Sequence, residues 1–470
     1  MSVQLHDTLS GEIRPLVPLR EGHVGIYSCG PTVYAPVHIG NFRSFLFVDL
    51  LVRHLRWRGL TVTWVLNVTD VDDKIIRGAA ATGEGIDVLA GRYLERFLAD
   101  AASLRMTLPD VLPRATEHID QMAALIATLM ARGHAYRTDD GSIFFRIASW
   151  PAYGKLARLD PEGLRVGERV EADEYGKDDV RDFALWKAPK PGEPSWETEV
   201  GPGRPGWHIE CSAMSMAHLG ESFDIHTGGV DLIFPHHEDE IAQSEAATGR
   251  PFVHTWLHCA HLRMDGAKMA KSTGNIARVA ELLEGGVSAR ALRLALISVH
   301  YRASLSHSDE SLAAAAAAIE RLDALVAALS TYREDRPDDP TLRDALATAR
   351  GAFGAALDDD LNVSAALAAL FDLVRELNRR IERRALSGAD AACALDGLRD
   401  LDRVLAILPE PEPGLDPETQ ALLDARETAR SARDWAASDR LRDELAARGI
   451  GVEDTRDGQR WRRLAEVTRG

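Results

Sequence analysis

Apolar residues from Val24 to Ser28 form a short run that stops at Cys29-Gly30-Pro31, the pattern of a strand ended by a breaker. Over Phe42–Trp57 apolar positions recur at helical spacing. Arg53, Arg56 and Arg58 gather where cations suit a helix dipole, and Gly59 closes the segment. Thr61–Val68 is β-branched and reads as a second buried strand. Strand, helix and strand in succession predict a parallel crossover unit, hence an α/β nucleotide-binding sheet. Its ligand site is expected just beyond the strand ends, near Cys29–Asn41 and Asn67–Asp73.

From Leu112 the pattern changes. Ala115–Arg132 predicts a helix, Tyr136–Ile147 alternates, and a stretch rich in Gly, Pro and charge runs on to Gly206, so this region reads as an insertion in the sheet. Helix and strand signals resume at Trp207–Leu219, Ser222–Thr227 and His236–Ala247. Beyond Ser288 nearly everything reads as helix. Ser311–Leu329, Thr341–Leu357, Asn362–Ile381 and Ala391–Leu408 carry the apolar stripes of a bundle. Pro409–Pro413 is a stiff linker, followed by helices over Glu418–Ala429 and Arg433–Arg448 and a short segment Gly451–Trp461. No internal repeat is visible.

A composition of 45% apolar and 27% charged residues excludes a mostly disordered chain and a fibre. The longest apolar run, Phe45–Val52, is broken by Asp49, so no membrane span is expected, and Met1–Asp7 lacks the pattern of a signal peptide. Four cysteines without a close pair point to a reducing, cytoplasmic setting. With 55 Lys and Arg against 72 Asp and Glu the net charge is −17, so any nucleic acid must be met by local basic surface. Ala421–Gly470, with 11 Arg against 10 Asp and Glu, is the least acidic region.

Two segments look chemical. His38-Ile39-Gly40-Asn41 opens the first expected helix, whose N-terminus presents N–H groups suited to a phosphate. Gly40 permits close approach there, and His38 is placed to donate to charge developing on that phosphate. Lys268-Met269-Ala270-Lys271-Ser272 lies between Gly266 and Gly274 and makes a cationic loop suited to closing over a polyphosphate. Taken singly, the first reads equally as a helix start with an incidental His, and the second reads better as a solvated loop. Their joint presence near the two ends of an α/β core changes the reading.

The pair resembles the HIGH and KMSKS motifs of class I aminoacyl-tRNA synthetases. Tyr27–Tyr34, Asn67–Lys74, Gly206–Met214, Phe234–Ser244, Asp359–Asn362, Arg433–Ala436 and Gly451–Thr455 narrow the resemblance to the cysteinyl-tRNA synthetase family, over about residues 5–463. The departures are Asn41 in place of the last His of the first motif and Ala270 in place of a Ser in the second. They bear on rate more than on activity.

The resemblance implies a Rossmann-type parallel-sheet catalytic core in two halves, 1–112 and 206–260, the second with a zinc site. It implies a connective insertion at 113–205, a KMSKS-loop region at 261–305, a helical bundle at 306–408, and a linker with a C-terminal anticodon-binding domain at 409–470. The implied reaction joins L-cysteine to tRNA(Cys) through a cysteinyl-adenylate made from ATP with Mg2+. His38, Asn41, Lys268 and Lys271 are the implied catalytic groups. Gly40, Gly228, Gly229 and Asp231 join them around ATP. The implied ligands of one Zn2+ are Cys29, Cys211, His236 and Glu240, with Thr69 and Trp207 completing the amino-acid pocket. No membrane partner and a monomer are expected.

The chemistry of that metal set stands beside the resemblance. Two thiolates, an imidazole and a carboxylate suit four-coordinate zinc, and His236 and Glu240 at i, i+4 share one helix face. Spacing leaves His237 and Glu238 as rival ligands, and Cys211 as a small buried apolar residue remains the plainer reading. Packing alone separates cysteine from serine by only ~1–3 kcal/mol, whereas zinc favours a thiolate over a hydroxyl that resists ionisation. In the tail, Trp461 between Arg460 and Arg462 is the expected anticodon contact, and Trp435 is expected in a core. Two other readings stay open. A ligase that passes cysteinyl-adenylate to an amino-sugar is disfavoured by the presence of Arg433–Trp461. A non-catalytic relative is disfavoured by His38 and Lys271.

Overall fold

Two strands stand where the sequence pattern predicts none: β1 (Gln4–Asp7) and β2 (Glu12–Pro15) form an antiparallel hairpin. A computed structural model describes residues 2–158, 181–264, 267–268, 277–410, 415–455 and 458–464. The crossover unit follows as β3 (His23–Ser28), α1 (Ile39–Trp57) and β4 (Thr61–Leu66), with β3 and β4 parallel. Helices α2 (Asp73–Thr82) and α3 (Ile86–Ser103) complete the first half.

The insertion carries α4 (Ile119–Ala131) and an antiparallel sheet of β5 (Ala135–Arg137), β6 (Ile143–Phe145), β7 (Phe183–Lys187) and β8 (Arg204–Pro205). The alternation expected over Tyr136–Ile147 is therefore a hairpin turning near Gly141, whose φ of +96° suits glycine. All three residues of β6 are buried, which erases the alternation there.

The sheet resumes with α5 (Trp207–Leu219), β9 (Phe223–Gly229), α6 (Glu238–Thr248) and β10 (Val253–Cys259). Its order is β10-β9-β3-β4, all parallel, the parallel-sheet core expected from the sequence. Fourteen of the nineteen residues of α1 are buried, because it lies between this sheet, α8 and α12 (introduced below). Its buried Asp49 accepts from Arg293 at 2.6 Å, from Arg53 at 2.9 Å and from the Thr107 N–H at 2.8 Å. A charge inside an apolar run is tolerated only with such partners.

Next come β11 (Leu262–Met264), β12 (Ala267–Lys268), α7 (Val279–Glu284), α8 (Ala289–Ile297) and β13 (Leu305–His307). The three-residue β13, parallel to β11, interrupts a stretch expected to be almost entirely helical. The bundle is α9 (Asp309–Thr331), α10 (Leu342–Asp358), α11 (Val363–Glu382) and α12 (Gly388–Leu405). Ser308 with Ser311 and Ser387 with Asp390 cap α9 and α12 reciprocally, which fixes where each begins.

Residues 409–470 form a separate compact unit. It contains α13 (Pro417–Ser431), α14 (Trp435–Ala447) and a hairpin of β14 (Ile450–Thr455) and β15 (Gly458–Arg463). Its small core is Leu423, Leu445 and Ile450, with Trp461 packed against it. Trp435 is thus not in the core expected of it. At the first position of α14 it is 57% exposed, whereas Trp461 supports the core.

Candidate metal centre and nucleotide cleft

The chain leaves β3 at Ser28 and places Cys29 at the end of the sheet, its N–H donating to the Thr227 carbonyl at 3.2 Å. Gly30 must be glycine, since a Cβ there would lie 1.7 Å from the Asn67 carbonyl oxygen. The Asn67 side chain accepts from the Gly30 N–H at 2.8 Å, and the Val33 N–H donates to the Thr69 carbonyl at 3.1 Å. These contacts carry the β3–β4 pairing past the strand ends and seat Thr69 in the site.

Cys211 and Trp207 come from α5, and Glu240 comes from α6. His236 stands just before α6 in a turn kinked at Phe234, so regular helix begins at Glu238 and not at His236 as expected. The i, i+4 relation survives the kink, with His236 Nε2 3.0 Å from Glu240 Oε1. Cys29 Sγ lies 3.9 Å from Cys211 Sγ and 3.7 Å from Glu240 Oε1. Each of the four residues Cys29, Cys211, His236 and Glu240 offers one ligand atom within 4.8 Å of the others. An overlapping set, Cys29, His226, His237 and Glu240, meets the same limit. His237 Nε2 approaches Cys29 Sγ at 3.3 Å, so this rival remains in the cluster. Glu238 turns away and accepts from the N–H groups of Gly154, Leu156 and Ala157 at 2.8–2.9 Å.

The electrostatics of the first set call for a cation. Burial pushes the Cys211 thiol up, yet the Cys29 thiol and the His236 imidazolium bring it down to about 6. Burial opposes charge on His236 too, but Cys211 and Glu240 raise it to about 10. Burial likewise raises Glu240, and His226 and His236 outweigh it to hold the carboxyl at about 2. Two anions thus face one imidazolium in a buried pocket, and an imidazole, a carboxylate and two thiols are donors a divalent transition ion accepts.

The surrounding groups orient those donors. His226 Nε2 donates to Glu240 Oε2 at 2.9 Å, leaving Oε1 toward the cluster. His208 Nε2 faces Asp239 Oδ2 at 3.3 Å and its Nδ1 faces His236 Nδ1 at 2.9 Å. His208 thus engages Nδ1 of His236 and leaves its Nε2 toward Glu240 and the cluster. Trp207 stacks on His236 at 4.2 Å. Thr69 Oγ1 donates to Glu210 Oε2 at 2.9 Å, one residue from Cys211. His208, Glu210 and His226 were not singled out from the sequence. Only the wealth of His between Trp207 and His237 hinted at them.

The described residues that the resemblance assigns to ATP lie at or near the neighbouring strand ends. His38 caps α1, its Nδ1 accepting from the Asn41 N–H at 3.2 Å, and Gly40 lies half-buried in the first turn. Gly228 and Gly229 end β9, beside β3. A Cβ on Gly228 would meet the His237 ring at 2.6 Å. Asp231 is open to solvent with His261 Nδ1 4.0 Å away. The backbone of Lys268 pairs with Arg263 in the β11–β12 hairpin, whereas Lys271 lies outside the described residues.

Residues 15–317 match the model of the tRNA synthetases class I (C) catalytic domain, 352–409 the DALR domain, and 412–462 the cysteinyl-tRNA ligase anticodon binding domain. The cysteine–tRNA ligase of Solibacter usitatus is 45% identical across 98% of this chain and 100% of its own length. That of Alkalilimnicola ehrlichii is 48% identical with the same coverage. The chain belongs to the cysteine–tRNA ligase family. Ligation of cysteine to tRNA is therefore its activity, on a class I synthetase fold. Mycobacterium tuberculosis methionyl-tRNA synthetase in complex with methionyl-adenylate shares that fold, with a TM-score of 0.59 at 18% identity over 88% of this chain and 96% of that one. Among the described residues no helix is long and apolar enough to cross a membrane.

Proposed function

We propose that the enzyme activates L-cysteine with ATP and Mg2+ and transfers it to tRNA(Cys), choosing cysteine over serine through Zn2+ held by Cys29, Cys211, His236 and Glu240. The convergence of those four donors within 4.8 Å, beside Trp207 and Thr69, carries the reading. Bound zinc supplies a position that takes a soft thiolate and passes over a hydroxyl. Trp207 and Thr69 border the pocket for the rest of the amino acid.

The carboxylate of cysteine attacks the ATP α-phosphate, the bond to pyrophosphate breaks, and cysteinyl-adenylate forms. The terminal ribose hydroxyl of tRNA then attacks the acyl carbon and AMP leaves. Because His38 Nδ1 accepts from the Asn41 N–H, its neutral ring carries the proton on Nε2, a donor for the α-phosphate in the transition state. Asn41 and Gly40 hold the nucleotide at the positive end of α1, and Gly228 and Gly229 admit the adenosine with Asp231 accepting from a ribose hydroxyl. Lys268 and Lys271 neutralise the leaving pyrophosphate. Orientation and charge stabilisation carry the rate, with no covalent enzyme intermediate.

Residues 113–205 act as the connective insertion, 261–305 as the loop region of the second motif, and 409–470 as the anticodon module of a cytoplasmic monomer. In that module Trp435 offers an open ring, with the Arg430 guanidinium 5.7 Å from its centroid, for an unpaired base. The test is transfer of labelled cysteine to tRNA bearing the GCA anticodon. Charging with cysteine and negligible charging with serine is expected. Pyrophosphate exchange without charging would assign the adenylate to another acceptor.

A further inference from the structure

Arg43 lies two residues past Asn41 on α1 and is 2% exposed. Its four acceptors are all backbone carbonyls. Nη1 donates to Ala260 at 2.8 Å and to His261 at 2.7 Å, and Nη2 donates to His300 at 3.3 Å and to Ala303. Among the described residues no carboxylate accepts from it. A buried guanidinium without a counter-charge is costly, and a packed apolar side chain would serve stability as well or better.

The positions of those carbonyls say what the charge is for. Ala260 and His261 form the crossing from β10 to β11, and His300 and Ala303 precede β13, which pairs with β11. The Ala260 N–H donates to the Tyr301 carbonyl at 2.7 Å and the Leu305 N–H to the His261 carbonyl at 3.2 Å, so the two crossings already touch and the planar fork of Arg43 locks them. β11 leads directly into the segment that carries Lys268 and Lys271. At the far end of that segment the Ile39 N–H donates to the Ala277 carbonyl at 3.0 Å, and His38 bridges Arg278. Residues 38–43 therefore hold both ends of the lysine-bearing segment 265–276.

We infer that Arg43 is a positioning residue for adenylate formation, setting the base of the second motif relative to His38 in the first. It touches no substrate group. It acts by fixing the span across which His38 and the two lysines share one polyphosphate, where a displacement of ~1 Å costs on the order of 100-fold in rate. The inference rests on the roles proposed above for Lys268 and Lys271.

The test is cysteine-dependent exchange of pyrophosphate into ATP by full-length Arg43→Met, Arg43→Lys, Lys271→Ala and the two double variants. Thermal unfolding and zinc content are measured alongside. In Arg43→Met kcat is expected to fall ~10–100-fold with KM for cysteine and ATP within about twofold. Arg43→Lys, which keeps the charge and loses the fork, should recover only part. In the Lys271→Ala background the Arg43→Met effect should shrink to less than about threefold, because a misplaced lysine and an absent one lose the same contact. Full additivity in the cycle, unchanged kcat in the folded variants, or failure of both Arg43 variants to fold overturns the inference. A Lys271→Ala enzyme with undiminished kcat overturns instead the role given to that lysine.

Discussion

The Nδ1 atoms of His208 and His236 face each other at 2.9 Å, one ring passing the orientation fixed by Asp239 to the other. Neither His208 nor Asp239 belongs to the four-donor set, yet together they decide which nitrogen of His236 turns toward Cys211 and Glu240. Replacing such an outer partner typically costs 10–100-fold in metal affinity. His208→Phe is expected to weaken zinc binding by about that factor in chelator competition while the fold is retained. Unchanged affinity would mean that packing alone orients His236.

Stripping the metal should separate folding from chemistry. The candidate donors sit beyond the strand ends of a sheet packed in apolar cores, so the chelator-treated enzyme is expected to remain folded by circular dichroism. With the Mg2+ that accompanies ATP present throughout, its cysteine-dependent exchange should drop at least ~10-fold and return on adding Zn2+, because thiolates and imidazoles bind Mg2+ poorly. Undiminished exchange by zinc-free enzyme would remove zinc from the reading.

Asp49 and Arg293 test the centre of the fold. Both side chains are fully buried, and opposite charge offsets the desolvation of each. Removing one partner of such a pair typically costs about 3–5 kcal/mol. Asp49→Leu and Arg293→Met are each expected to lose stability of that order in urea, and the double variant should lose less than the sum. Strict additivity would show that the pair is not coupled.

A pH-dependent contribution is expected where α2 meets the insertion. Burial pushes the Asp73 carboxyl up, but Lys187 and Arg204 outweigh it and hold it at about 2, below the unfolded value near ~3.9. The folded value is the lower one, so this carboxylate adds stability that is fully present above about pH 4 and is lost as pH falls through about 2. Asp73 is 44% exposed, and screening keeps the contribution to about 1 kcal/mol or less. The stability gap between wild type and Asp73→Asn should close between pH 5 and pH 2. A gap independent of pH would assign the effect to packing.

What the sequence could carry depended on range. The β3–α1–β4 unit was legible because its pattern is local and periodic, and the meeting of Cys29, Cys211, His236 and Glu240 because a resemblance supplied a pairing that spacing cannot. Cys29 and Cys211 meet only through the parallel order of β9, β3 and β4. β13 escaped because three residues owe their strand to a partner, β11, more than to themselves. The outer histidines escaped because a buried His orienting a ligand looks, in sequence, like any other His.

Trp435 and Trp461 give opposite expectations within one small unit. Trp461 packs on Leu423, Leu445 and Ile450, so Trp461→Ala should destabilise residues 409–470 by about 3–5 kcal/mol, at the scale of a truncated aromatic in a core. Trp435 is 57% exposed and bears little on packing. Base stacking on an aromatic ring is worth ~1–3 kcal/mol, so Trp435→Ala should raise KM for tRNA about 5- to 150-fold. It should leave pyrophosphate exchange and thermal stability where they were, because in the proposed reaction the adenylate forms before tRNA is needed. A loss of exchange in this variant would show that Trp435 serves the catalytic core, and an unchanged KM for tRNA would move the stacking surface elsewhere in the tail.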